Sequence, residues 1–215
     1  MHIEAGSLLR PLSKAVLCAA LLSSLAGCVA VVAGAAVSGA VATADRRTLG
    51  AQTEDKAISL KAETRMGEIT GDSGHVNVNS YNRKVLLTGE VRDEAMKRAI
   101  ENHVRGVANV ENVINELEIA GPSSYTSRSS DALITSKVKI SLADKKTVSA
   151  TSFKVVTERG TVYLMGMVTQ REGNIAADVA KGVSGVMRVV KIFEYISEED
   201  LRTMQPQQAQ AQPQR

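Results

Sequence analysis

The sequence has few of the residues that form most catalytic, redox and metal sites. Its 215 residues include two cysteines, three histidines and no tryptophan, and aromatic residues make up only 3%. The scarcity of cysteine and histidine argues against a zinc site, and the scarcity of aromatics argues against a base-stacking nucleic-acid surface. No Ser-His-Asp or Cys-His arrangement and no glycine-rich phosphate loop is present. We therefore predict a non-enzymatic protein with no catalytic residue, metal, cofactor, nucleic-acid partner or small-molecule substrate.

The first 27 residues have the order of a bacterial lipoprotein signal peptide. Arg10 and Lys14 supply a positive start, and residues 15–26 are almost wholly apolar. That apolar stretch has the length of a secretory signal and is too short to span a membrane. It ends in Leu25-Ala26-Gly27-Cys28, which resembles the lipobox. The alternative is a buried apolar helix that contains Cys28 by chance.

The lipobox resemblance implies that Cys28 is the lipid attachment site. In such proteins the thiol receives a diacylglyceryl group, cleavage precedes the cysteine, and the new amino group takes a fatty acid such as palmitate. Cys18 would leave with the signal peptide, so no disulfide within one chain is expected. Residue 29 is Val, and the Gram-negative sorting rule, in which Asp at this position retains a lipoprotein at the inner membrane, then implies the outer membrane.

A tether is predicted over residues 28–53. Residues 29–44 are rich in Ala and Gly and contain no Leu or Ile, the residues that favour membrane insertion. A single long spanning helix that continues the signal sequence stays open as the alternative.

Two copies of one module follow the tether. Leu87-Thr-Gly-Glu-Val91 recurs as Leu164-Met-Gly-Met-Val168, and Gly106-Val-Ala-Asn-Val110 recurs as Gly182-Val-Ser-Gly-Val186. We predict a first domain at 54–120, a linker at 121–127, a second domain at 128–197 and a disordered Gln/Pro-rich tail at 198–215.

Each copy has the hydrophobic pattern of helix, strand, strand, helix, strand. Apolar residues at spacings of three and four, such as Ile134, Val138 and Leu142, indicate one buried helix face. A hairpin followed by a right-handed strand-helix-strand unit predicts an α+β fold, a three-stranded mixed sheet with both helices on one face. Glu90 and Glu101 occur in one copy only and are predicted to be solvated charges.

This pattern, with Leu-x-Gly-x-Val on the second strand and Gly-Val-x-x-Val before the third, resembles the BON domain. Two such domains behind a lipobox resemble the dual-BON outer-membrane lipoproteins, the family associated with division, outer-membrane stress and lipid binding. The resemblance implies a periplasmic protein that binds anionic phospholipid and supports the integrity of the cell envelope.

The two copies differ in charge and in the first helix. Residues 54–120 carry nine basic and twelve acidic side chains, whereas residues 128–197 carry eleven and six. A helical wheel places Leu133, Lys137 and Ile140 away from the buried face of the second copy, whereas the first copy has Ala57, Lys61 and Thr64 there. We therefore predict a phospholipid-binding site at Leu133, Ser136, Lys137 and Ile140.

Two alternatives to this lipid site stay open. In the first, Leu133 and Ile140 pack against the first copy and do not contact lipid. In the second, the protein is an adaptor whose acidic first domain docks on outer-membrane assembly proteins. The family pattern also often has an aromatic residue where Leu133 stands, and leucine lacks the interfacial preference of tryptophan.

The lipobox interpretation predicts the fate of the Cys28→Ala variant. With no thiol to acylate, this variant should remain an uncleaved or soluble precursor. Membrane fractionation and mass spectrometry of the N-terminus measure this directly. Outer-membrane fractionation like that of the unsubstituted protein would contradict the assignment.

Overall fold

The computed structural model describes residues 45–210, with side chains described as far as Met204. The signal peptide, Cys28, the tether up to residue 44 and residues 211–215 lie outside the described residues. Within the described part, no helix combines the length and the hydrophobicity needed to cross a bilayer.

The first copy contains three α-helices and four strands. In chain order these are α1 (Leu49–Glu63), α2 (Met66–Thr70), β1 (His75–Tyr81), β2 (Lys84–Val91), α3 (Glu94–Arg105), β3 (Asn112–Asn115) and β4 (Glu118–Ile119). The expected third strand is thus split into two short strands, with the buried Leu117, 2% exposed, at the break.

The second copy repeats this order without an α-helix at the place of α2 and with an unbroken third strand. Its elements are α4 (Tyr125–Ala143), β5 (Lys154–Glu158), β6 (Thr161–Val168), α5 (Gln170–Lys181) and β7 (Arg188–Tyr195), followed by α6 (Glu198–Gln210).

The topology confirms the predicted α+β fold in both copies. In each, the first two strands pair antiparallel and the third pairs parallel to the second. The residues of β6 at positions 162, 164 and 168 face one core together with Ile134, Val138 and Leu142 of α4. Both long helices of each copy therefore cover one face of its sheet, as the strand-helix-strand rule requires.

Asp55 and Asp131 hold the same place in the two copies and perform the same structural task. The Asp55 carboxylate accepts backbone N–H bonds from Asn82 and Arg83 at 2.7 and 2.9 Å, and both turn residues have positive φ. Asp131 accepts the equivalent pair from Arg159 and Gly160, both at 2.9 Å. Each carboxylate thus ties the first helix of its copy to a tight hairpin turn.

The second faces of the two sheets pack against each other. Buried Leu86 of β2 and buried Tyr163 and Met165 of β6 form a third core, together with Tyr81 at the end of β1. Because the helices cover the opposite faces, the layers run helices, sheet, sheet, helices. The two copies therefore share an apolar interface made from their sheets.

An N-terminal arm, residues 45–48, fastens the second copy to the first. The guanidinium of Arg46 binds both carboxylate oxygens of Glu172, at 2.8 and 2.7 Å, and donates to the Met167 carbonyl at 2.9 Å. Arg47 lies 4.0 Å from the centre of the Tyr81 ring and donates to Asp55 at 2.7 Å. These charged side chains are largely buried, so the arm belongs to the folded body.

Three boundaries differ from the sequence prediction. Residues 45–53 were assigned to the tether, but the arm is packed and α1 begins at Leu49, where the Thr48 side chain caps the helix. The linker was placed at 121–127, but α4 begins at Tyr125 because Ser124 caps it.

The disordered tail predicted from residue 198 is also wrong over Glu198–Gln210, which is helical. Acidic residues fill its first turn, where they favour the helix dipole, and Leu201 packs to 7% exposure. Glu90, predicted to be solvated, is fully buried, because it lies on the sheet face that meets the second copy.

Replacing Arg46 with Ala should destabilise the fold strongly. The change leaves the buried Glu172 carboxylate without its cation, a loss that typically costs about 3–5 kcal/mol. Urea unfolding of the chain lacking residues 1–28 measures the effect. Arg65→Ala is the control, because its ion pair with Glu68 is exposed and such pairs contribute about 0–1 kcal/mol. Equal midpoints for the two variants would contradict the role assigned to the arm.

Glu158→Gln should stabilise the interface at neutral pH. Burial raises the pKa of the Glu158 carboxyl above its ordinary 4.5, and the charges of Glu90 and Asp131 raise it further. The hydrogen bond from Asn77 lowers this pKa and offsets part of the rise. A carboxylate with a raised folded-state pKa stabilises the fold at low pH and loses that contribution as the pH rises. The variant should therefore unfold at higher urea than the unsubstituted chain at about pH 8, and the gap should close at about pH 4. A gap that is independent of pH would contradict this.

Candidate functional site

Helix α4 buries one narrow stripe of side chains and leaves the opposite face exposed. Asp131, Ile134, Val138 and Leu142 are its buried residues, at spacings of three and four. These spacings place them on one face at 100° per residue, as the sequence predicted. This face packs on β5 and α5.

Contacts along this stripe fix the rotation of α4. The hydroxyl of Thr135 donates to that of Thr157 on β5 at 2.7 Å, and Asp131 holds the β5–β6 turn. On the other flank, a Cβ added to Gly185 would lie 3.0 Å from the Ile134 side chain. With both flanks in contact, the outward residues of the helix are fixed in position.

The predicted residues Leu133, Lys137 and Ile140 form an exposed strip on this helix. Leu133 is 63% exposed and Ile140 is 62% exposed, and Lys137 between them is also exposed. Their exposure excludes packing against the first copy, because the two copies meet through their sheets. The structure thus brings these three predicted residues together on one surface.

Ser136 lies beside the strip rather than within it. Its side chain is exposed, and its hydroxyl donates to the Ala132 carbonyl one turn earlier at 3.0 Å. The hydroxyl oxygen remains free to accept a hydrogen bond, while its proton is used within the helix. Ser136 therefore has a smaller capacity to bind a headgroup than Lys137.

The positive charge near α4 is not neutralised by the protein. Within the described residues, no carboxylate lies within ion-pair distance of Lys137, Lys139, Lys145 or Lys146. Other cations of the second copy are used at the interface: Arg159 pairs with Glu118 at 3.2 Å and Arg188 with Glu116 at 3.5 Å. The charge available to a partner is thus concentrated on and just after α4.

The first copy also exposes apolar side chains on its first helix, which the sequence analysis missed. Leu49 and Leu60 of α1 are 67% and 69% exposed. Neither residue is equivalent in position to Leu133 or Ile140, since in the repeat Leu49 corresponds to Tyr125 and Leu60 to Ser136. The surrounding charge distinguishes the copies, since domain one has an acidic excess and all five of its arginines are paired with acidic side chains.

Tyr125 is a second residue that the sequence analysis missed. It is 84% exposed in the first turn of α4, and the Arg128 guanidinium lies 5.0 Å from the centre of its ring. An exposed tyrosine on an amphipathic helix is typical of the membrane–water interface. The signal was available in the sequence, but residues 125–127 had been assigned to the linker.

Comparison with known proteins agrees with the repeat and its fold. The BON domain model matches residues 54–121 and 130–196. The chain is 39% identical over 192 residues to the outer membrane lipoprotein DolP of Haemophilus influenzae, which covers 87% of this chain and 98% of that protein. It is 30% identical over 154 residues to the 21 kDa hemolysin of Actinobacillus pleuropneumoniae, covering 71% and 79%. It is also 29% identical over 140 residues to the osmotically-inducible protein Y of Escherichia coli, covering 63% and 70%.

The chain belongs to the BON domain family, with two copies of the domain. Its resemblance over nearly the whole length of an outer-membrane lipoprotein places it among the dual BON-domain outer-membrane lipoproteins. One of these three relatives is named as an outer membrane lipoprotein, and none of the three names describes an enzyme. In the described residues no cluster of His, Cys, Asp or Glu has the geometry to hold a metal ion.

Proposed function

We propose that this lipoprotein binds anionic phospholipid at the periplasmic face of the outer membrane through α4, and in this way supports outer-membrane integrity. The observation that carries the proposal is the exposed strip, in which two large apolar side chains flank a lysine that has no acidic partner among the described residues. Leu133 and Ile140 would enter the boundary between headgroups and acyl chains, and Lys137 would contact lipid phosphates. Cys28 would supply the acyl anchor.

The expected strength of this contact is modest. Burial of a Leu or Ile side chain contributes about 1.5–3 kcal/mol, and each lysine near an anionic surface contributes about 1 kcal/mol. Immobilising α4 against the membrane opposes part of this gain. The anchor retains the protein, so the strip is free to act by orienting domain two on the membrane and by selecting anionic lipid.

Leu133→Asp should abolish binding to anionic liposomes while the domain stays folded. At this exposed position the new carboxylate is solvated in the free protein, but on the membrane it would be desolvated and repelled. Co-sedimentation of the chain lacking residues 1–28 measures the loss, and circular dichroism checks the fold. Ile140→Asp should behave in the same way.

Leu60→Asp is the matched control for this experiment. Leu60 is as exposed as Leu133 but lies on α1 of the acidic domain, so its replacement should leave liposome binding unchanged. If the folded Leu133→Asp protein pellets like the unsubstituted chain, or if Leu60→Asp removes binding, the assignment of the lipid site to α4 fails.

Lys137→Glu should weaken binding in a way that depends on salt. Loss of the lysine costs about 1 kcal/mol at an anionic surface, and reversal of its charge roughly doubles the loss. At about 1 M salt the Debye length falls to about 3 Å, and the difference should largely vanish. Lys61→Glu, at the equivalent position of domain one, should have little effect at any salt concentration. A defect in Lys137→Glu that persists in high salt would show that the lysine acts other than by charge.

A further inference from the structure

A groove lies between the two domains on the flank of α4 that is turned away from the exposed strip. It has a volume of about 500 Å³ and is bounded by β1, β5, α4 and the end of α1. Arg128, Asp131 and Thr135 form the α4 side. On the helical wheel these residues lie roughly opposite Leu133 and Ile140, so the groove and the strip are separate surfaces.

Two sheet edges border this groove, and neither is paired with another strand in the part of the chain that the structure describes. β1 is an edge strand of the first sheet and β5 is an edge strand of the second. The β1–β2 hairpin closes with the pair Tyr81 and Lys84 around a two-residue turn. In an antiparallel ladder every second residue pair shares backbone hydrogen bonds, counted from the pair that closes the turn. Val76, Val78 and Ser80 belong to the other pairs, so their backbone N–H and carbonyl groups point away from β2.

Of these three residues, Ser80 has hydrogen-bond partners for its outward backbone groups among the described residues. The Ser80 N–H donates to the Ser59 hydroxyl at 3.3 Å, and its carbonyl accepts from Lys154 Nζ at 3.1 Å. For Val76 and Val78, the described residues provide no partner to the outward N–H and carbonyl groups. An unpaired strand edge of this kind is a template for pairing with another chain.

The side chains around the groove favour a basic occupant. Among the described residues that line it, Glu63, Asp131 and Glu158 are acidic and Arg128 is the one lysine or arginine. Glu158 receives a 2.8 Å hydrogen bond from Asn77, whereas Glu63 is exposed and without an ion pair among the described residues. At the strand's start, Nδ1 of His75 is buried without a hydrogen-bond partner. Free backbone groups, an acidic lining and this unsatisfied nitrogen all suit a polar chain.

We propose that the groove binds an extended peptide segment with a basic side chain, by strand addition to β1 at Val76 and Val78. The peptide backbone would pair with the outward groups of these two valines, and its lysine or arginine would lie near Glu63. This mode of recognition uses main-chain hydrogen bonds for affinity and side-chain pockets for specificity. It gives the lipoprotein a protein-docking surface that does not depend on the lipid site.

The test uses a capped peptide of about nine residues, which lies within the usual range of strand lengths, in which Thr and Val alternate around a central Lys. Nuclear magnetic resonance titration of the chain lacking residues 1–28 should shift the amide signals of β1 and of the Arg128 flank of α4. A peptide with alternate backbone amides methylated, and one with Glu in place of Lys, should each bind at least about tenfold more weakly.

Val76→Pro supplies the protein-side test. Proline removes an outward N–H that β2 does not use, and edge strands tolerate it at such positions. It should reduce peptide binding at least about tenfold, whereas Val76→Ala, which trims the side chain but keeps the N–H, should stay within about twofold. Leu133→Asp should bind the peptide normally.

Four results would overturn the proposal. The first two are equal binding of the methylated and unmethylated peptides, and equal effects of the two Val76 variants. The third is a set of amide shifts confined to the exposed strip. The fourth is a dimer in which the β1 edges of two copies of the protein pair with each other. The comparison of methylated and unmethylated peptides holds even if Val76→Pro fails to fold. Light scattering at the concentrations used for the titration detects the dimer.

Discussion

The packing of one sheet against the other is the constraint on which the rest of this structure depends. Leu86, Tyr163 and Met165 are at most 2% exposed at this interface, so β2 and β6 are buried on both faces. Because the sheets occupy each other's second faces, α1 and α4 are left on the outside. The exposure of the strip on α4 is therefore a consequence of how the domains pair, and an arrangement through α4 would have hidden it.

The charged side chains are divided in the same way between the interface of the two sheets and the outer surface. Acidic residues of domain one meet basic residues of domain two at the interface, as in the pairs Arg159 with Glu118 and Arg188 with Glu116. The lysines on and after α4 take no part in this pairing. The positive excess of domain two thus serves two purposes, and only the part near α4 is available to an anionic membrane. The N-terminal arm adds the buried Arg46–Glu172 pair, which joins residues 45–48 to the domain that carries this helix.

Membrane and peptide surfaces on opposite flanks of α4 would let the lipoprotein act on two partners at once. The strip is convex and apolar with a central cation, which suits a fluid anionic surface. The groove is concave and polar with free backbone groups, which suits a directional partner. Because both flanks belong to the same helix, contact with the membrane would set the direction in which the groove is presented.

The sequence alone determined the repeat, the order of the elements, the buried stripe of α4 and the residues of the strip, because local periodicity and motif spacing encode these directly. It did not determine what happens between the copies. The alternation in β1 makes Asn77 look solvent-facing, and Glu90 is polar, yet both lie at the interface. The continuous apolar run of β6 was the one available signal of burial on both faces. The predicted ends of elements were also wrong where contacts between residues far apart in the sequence decide them. Examples are the arm, which Glu172 holds in place, and the helix that begins at Glu198. Only the tertiary structure could decide these points, since pairing of the sheets and of charges far apart in sequence leaves no periodic trace in either copy.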